Sequence, residues 1–229
     1  LFRSEKLANG CQDVEVFKET DSKYEVLLLP LNSEGSDFGP IYFKNGIIFC
    51  SNGNGSTSKD RTFMDLYYSD AKSNNTFSPP QKVDGSVNSK LNDGPASFCS
   101  LTNELFFSRN ATIGEDGKIQ NDDNAAINLS LFTVKLNNNK WGEVKPFMHN
   151  SPAFSIAHAA VSPDGKTLYF ASNMPGGFGG TDLYVCLRMN DIWSKPVNLG
   201  KTVNTPGNEA FPYVHTDGLL YFASNGHPG

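Results

Sequence analysis

The residues best suited to chemistry are spread thinly along this chain. Asp116, Gln120, Asn121, Asp122 and Asp123 gather side-chain oxygens in one short run. A Ca²⁺ ion needs about six to eight oxygens, and an EF-hand loop places a bidentate Glu at its twelfth position. Counted from Asp116 that position is Ile127, so the EF-hand is excluded and a solvated insertion is expected. The run from Met174 to Gly180 is glycine-rich, but no helix and no Lys-Ser/Thr pair follows it to complete a phosphate cradle. It is expected to be a strand-to-strand loop with Phe178 tucked over the sheet. His149, His158, His215 and His227 are scattered, and only His158 and His215 fall near strands expected to be innermost. Nothing marks a pair of carboxylates for glycoside cleavage. No Gly-x-Ser-x-Gly element supplies a hydrolase nucleophile. Cys11, Cys50, Cys99 and Cys186 form no CxxC pair and read as small buried hydrophobes. Leu7 to Cys11 loosely matches a lipoprotein cleavage box, yet no apolar run precedes it. Asn54, Asn74, Asn110 and Asn128 head Asn-x-Ser/Thr triplets, weak signals in an Asn-rich chain. The expectation is a chain that is not an enzyme, with no catalytic residue, no metal and no cofactor.

What must position such residues is legible in the bulk numbers. The 229 residues are 38% hydrophobic and 12% aromatic, with 17 Phe, 21 Gly and 13 Pro. That mixture suits many short strands joined by tight turns. A net charge of −5 and the lack of any Lys/Arg block argue against a nucleic-acid surface. No apolar run approaches the roughly 18 residues that span a bilayer.

Internal repetition decides the fold class. Four aromatic strands end in a small residue or Arg followed by Asn: Ile47–Asn52, Leu105–Asn110, Leu168–Asn173 and Leu220–Asn225. Asn52, Asn110, Asn173 and Asn225 are 58, 63 and 52 positions apart, the period of a four-stranded propeller blade with long loops. A strand rich in small residues precedes each and is expected innermost. Between the two lies a turn, clearest at Pro163-Asp164-Gly165-Lys166, where Asp164 and Gly165 fit a tight hairpin. Thr216-Asp217-Gly218 and Lys44-Asn45-Gly46 take the same place. A third strand begins at Asp65, at Ser130 and at Asp182. Because a carboxylate recurs at Asp65 and Asp182, a structural role bonding loop amides is expected there. A fourth, outer strand is expected at Phe77–Pro80, at Trp141–Pro146 and at Ile192–Leu199, where Pro is tolerated on an edge.

The expected fold is therefore all-β, a propeller of four-stranded antiparallel blades. Three full blades are present, with half of a fourth. Residues 23–32 read as an outer strand closing the ring, and residues 1–22 as a linker. The chain is expected to continue beyond Gly229 into a ring of about six blades, with a four-bladed ring as the alternative.

The run Val161–Asn173 resembles the signature of TolB-type propeller repeats. Asn173–Tyr184 and Asn204–Glu209 are similar to one subgroup, the OmpA-family envelope proteins of Bacteroidetes, which includes a member associated with type IX secretion. The resemblance covers residues 23–229. It implies tetratricopeptide repeats before the propeller, then a carboxypeptidase-regulatory-like domain and an OmpA-like domain that binds peptidoglycan. It further implies a periplasmic, outer-membrane-associated scaffold whose partners are envelope or secretion-system proteins. The second repeat departs from the pattern, with Cys99–Asn103 in place of the Pro-Asp-Gly turn and a polar insertion at 111–127. A glycan- or peptide-binding funnel and a glycoside-processing propeller stand as alternatives.

Overall fold

The computed structural model describes residues 29–53, 63–73, 76–120 and 128–227. Among them no helix occurs. The first blade is β1 (Asp37–Phe43), β2 (Gly46–Ser51), β3 (Asp65–Asp70) and β4 (Gln81–Lys82), antiparallel in that order. The second is β5 (Asp93–Cys99), β6 (Glu104–Arg109) and, beyond a small hairpin of β7 (Thr112–Ile113) and β8 (Ile119–Gln120), β9 (Ser130–Asn137). Its outer strand comes in two pieces, β10 (Lys140–Trp141) and β11 (Lys145–Pro146), both on β9. The third repeats this with β12 (Ile156–Val161), β13 (Thr167–Ser172), β14 (Asp182–Met189), β15 (Ile192–Trp193) and β16 (Val197–Asn198). The hairpin of β17 (Glu209–Val214) and β18 (Leu220–Ser224) begins a fourth. The inner strands β1, β5, β12 and β17 lie beside one another around a common axis. The fold is an all-β propeller of antiparallel blades.

Blades stack because their middle strands are apolar on both faces. Every residue of β6 is buried. Leu105 and Phe107 face the first blade, packing with Ile48, Leu66 and Phe132. Phe106 faces the third, with Phe147, Phe170 and Trp193. At a side-chain period of two, one strand thus feeds two cores. Cys50, Cys99 and Cys186 sit in these cores as free thiols, and burial pushes Cys50 and Cys186 up to about 12.

The repeated asparagines close the inner hairpins. Asn52, Asn110, Asn173 and Asn225 each accept, through Oδ1, the amide of the residue just before or at the entrance to the inner strand. The donors are Ser36, Asn92, Ser155 and Asn208, at 2.7–2.8 Å. A second set, unnoticed in the sequence, holds the outer edges. Asn88, Asn150 and Asn204 each bond both backbone groups of a third-strand leucine, respectively Leu66, Leu131 and Leu183, at 2.7–3.0 Å. Side-chain amides here replace rungs that a longer outer strand would supply.

Three local expectations need correction. In the first blade Phe77 makes only an isolated bridge to Ala71, and the outer ladder resumes at Gln81 because Pro79 and Pro80 have no amide to donate. At Lys44-Asn45-Gly46 the positive φ falls on Lys44, at 50°. Gly46 is required for another reason: a Cβ there would lie 2.0 Å from the Ser69 carbonyl oxygen. Of the expected closing strand, residues 23–28 lie outside the described residues, as do 1–22, Cys11, Asn54, Asn74 and 121–123. Residues 29–32 form a turn, with the Asn32 amide on Leu29 O at 3.2 Å.

Candidate functional site

Each inner strand breaks register at the same place, between Phe38 and Ile41, Asp93 and Ala96, Ala157 and Ala160, and Ala210 and Tyr213. These are β-bulges, which bend a strand and re-aim its side chains. Counting from the capping amide places Gly39, Pro95, His158 and Phe211 at one shared level. The first blade meets the bulge with Gly39 at φ +62°, and the second with Gly94 at φ +108° before Pro95. The third and fourth place His158 and Phe211 there at φ +54° and +51°. A residue with a Cβ spends about 1–2 kcal/mol in that left-handed region.

The four positions meet in pairs. A Cβ on Gly39 would lie 2.9 Å from that of Pro95, so Gly39 lets the two blades close together. His158 and Phe211 stack with centroids 3.9 Å apart and planes at 17°. Above them a cleft of about 460 Å³ follows the axis, lined by residues of all four blades, among them Ile41, Ser97, Ala160 and Tyr213. That volume suits a small ligand or a few residues of a peptide. Among the described residues no Asp or Glu lines the cleft, and Lys44 alone carries a full charge at neutral pH. Burial draws His158 down to about 4, so its ring is neutral. Its Nδ1 is buried with no hydrogen-bond partner. A proton there would strand a donor, so the favoured tautomer carries it on Nε2. The cleft therefore offers aromatic faces, prolines, hydroxyls and a neutral imidazole.

The other histidines do not join this site. His149 Nε2 meets Ser194 O and His227 Nε2 meets Val203 O, both at 2.8 Å, while His215 pairs with Asp217. No cluster of metal-binding groups forms among the described residues. Asp182 takes the amides of Phe178 at 2.6 Å and Gly179 at 3.1 Å, and the side-chain amide of Asn198 at 2.7 Å. Asp65 instead meets Lys82 Nζ at 2.6 Å. Phe178 is not tucked over the sheet but 49% exposed, because its backbone is tied to Asp182 while its ring turns outward. Asp164 accepts from Ser162 Oγ and the Lys166 amide, which hold its carboxyl below the usual range, and Gly165 turns the chain at φ +70°. Trp141 stacks on Phe43 at 5.5 Å, and Trp193 meets Phe106 edge-on at 5.9 Å. In the long insertion, Asp116 only caps the Lys118 amide.

Sequence reasoning placed His158 near the centre but missed Phe211. The available signal was alignment of both with Gly39, a position where glycine is the relaxed choice.

No protein-family model and no curated protein sequence matches the chain. Among solved structures, TolB from Acinetobacter baumannii is similar, at 17% identity and a TM-score of 0.50 over 84% of this chain and 38% of that one. A Mycobacterium tuberculosis puromycin-hydrolyzing peptidase reaches 15% and 0.47 over 88% and 29%. A prolyl endopeptidase reaches 12% and 0.40 over 99% and 34%. The chain spans less than two fifths of each of these proteins. The expectation that it is not an enzyme is corrected here: enzymes are among its structural neighbours, and the fold does not decide against catalysis. The physical reason is that a propeller's cores set its shape, whereas any chemistry resides in the loops and axial face grafted onto them. What the comparison with TolB establishes is the fold, a TolB-like β-propeller.

Proposed function

We propose that this propeller is the protein-binding module of a cell-envelope scaffold, and that its axial cleft receives a segment of the partner. One observation carries the reading. His158 and Phe211 take a positive φ at the bulge position that the first blade fills with Gly39, and that the second avoids by placing its positive φ on Gly94 before Pro95, at a backbone cost their stacked rings must justify. Strain kept beside a neutral imidazole in a concave site fits binding better than packing.

The TolB-like fold and the runs Asn173–Tyr184 and Asn204–Glu209 support the wider setting. In it residues 23–229 are the propeller and residues 1–22 join it to a helical repeat region. The intact protein is of the Bacteroidetes OmpA-family type, periplasmic and outer-membrane-associated, and linked to type IX secretion. Its partners are envelope or secretion proteins, and peptidoglycan is reached through a separate domain.

The test is affinity capture with tagged full-length protein from the native organism. The comparison forms are one lacking residues 23–229 and one carrying His158→Ala and Phe211→Ala. Envelope proteins recovered with the intact protein and lost from both altered forms support the reading. Equal recovery from all three forms refutes it.

A further inference from the structure

We infer that the axial cleft is shaped for the free C-terminus of an extended, apolar peptide; this rests on the cleft being the binding site proposed above. The levels of the inner strands supply the geometry. Gly39, Pro95, His158 and Phe211 form one level. Five residues further along the same strands, Lys44, Ser100, Pro163 and Thr216 form another at the hairpin ends. An extended chain rises about 3.3 Å per residue, so the two levels lie about 16 Å apart, roughly five residues of ligand.

The chemistry differs sharply between those levels. At the first, the exposed part of Phe211 offers a ring face, Tyr213 adds another two residues further along, and His158 offers an Nε2–H that needs a neutral acceptor such as a peptide carbonyl. A charged side chain placed there would meet no counter-charge. At the second level stands Lys44, the sole full charge of the lining among the described residues. It makes no ion pair among the described residues. Its ammonium lies 5.2 Å from the Phe43 centroid, at the rim shared with a groove between the first two blades. Ser100 and Thr216 add hydroxyls at the same level. A ligand complementary to both ends is apolar at one and carries a single negative charge at the other. A chain terminus meets this with no charged side chain in the cleft.

Fluorescence anisotropy tests it on the 229-residue chain. The probe is an N-terminally fluorescein-labelled Phe-Ala-Pro-Ala-Ala with a free carboxylate. Its controls are the C-terminally amidated form and an amidated form ending in Glu. The free carboxylate is expected to bind about fivefold tighter than the amide, the strength of one partly exposed charge-assisted contact. Lys44→Met is expected to erase that preference, bringing the acid to the affinity the same variant shows for the amide; Lys44→Gln repeats the test with a polar side chain. His158→Ala and Phe211→Ala are expected to weaken both peptides. Equal binding of acid and amide overturns the inference, as does a preference that survives both Lys44 substitutions. So does equal binding of the Glu-amide, which assigns the carboxylate to a side chain. If no peptide binds while partner capture still depends on His158 and Phe211, this inference fails and the proposed function stands. If capture is indifferent to those two residues, the proposed function itself fails.

Discussion

At position 158, glycine should be better tolerated than alanine. Both substitutions remove the ring, its stacking on Phe211 and its buried surface, so both fall below the parent protein. They differ only in the backbone. At φ +54° alanine keeps the left-handed penalty of about 1–2 kcal/mol, whereas glycine is relieved of it. Glycine's greater freedom in the unfolded chain returns about 0.5–1 kcal/mol of that. His158→Gly should therefore exceed His158→Ala in stability by about 0.5–1 kcal/mol, or roughly 1–4 °C in melting temperature for a chain of this size. Thermal melts by circular dichroism, backed by urea titrations, measure the difference. Gly39→Ala is the converse control. It introduces the penalty and drives a methyl to 2.9 Å from Pro95, so it should destabilise by more than the difference between the two His158 variants. An alanine variant at 158 as stable as the glycine one would refute the reasoning. It would mean that the bulge relaxes, and that no backbone cost is being carried for the ring.

The same histidine makes stability depend on pH. Its pKa falls from 6.5 to about 4 on folding, so between those values the unfolded chain binds more protons. Stability from this group is complete above pH 6.5 and is lost as pH falls towards 4, by up to about 3 kcal/mol; urea unfolding should show a flatter profile in His158→Gln. Asn204→Ala leaves the amide of buried Leu183 unpaired, while its carbonyl keeps the Leu199 amide at 3.1 Å, and should cost about 1–3 kcal/mol by chemical denaturation. Arg188 in the third blade holds Glu104 of the second at 2.7 Å, with both side chains largely buried. Arg188→Met alone should cost about 3–5 kcal/mol by stranding the carboxylate, and adding Glu104→Leu should recover most of it, as a double-mutant cycle would show.

Much of the architecture was legible because it is written four times. Aromatic strands ending in Asn, small inner strands and Asp-Gly turns recur whatever the loops between them do. The Asn has one local job, receiving an amide from the strand beside it, so its spacing to that strand barely varies. The outer edge was harder to read. Asn88, Asn150 and Asn204 are each followed by Ser or Thr, but they lie in connectors of varying length, and their partners are some 20 residues earlier. The outer strands hold only two paired residues at a time, too few to show alternation. The site was the least legible part. His158 and Phe211 break the local rule that reserves a positive φ for glycine, and a rule broken in two of four copies shows only once the backbone is seen. The Asp116 run drew notice because carboxylates are conspicuous, whereas the cleft is defined by having none.

The asparagine clasps also bear on how the chain is made. Each leucine is completed by a residue 19 to 22 positions further on, beyond the last strand of its own blade. A blade leaving the ribosome thus has its outer rung open until the connector to its successor has been synthesised. Each blade is then fastened by the arrival of the one that follows, so that the order of translation is also an order of locking.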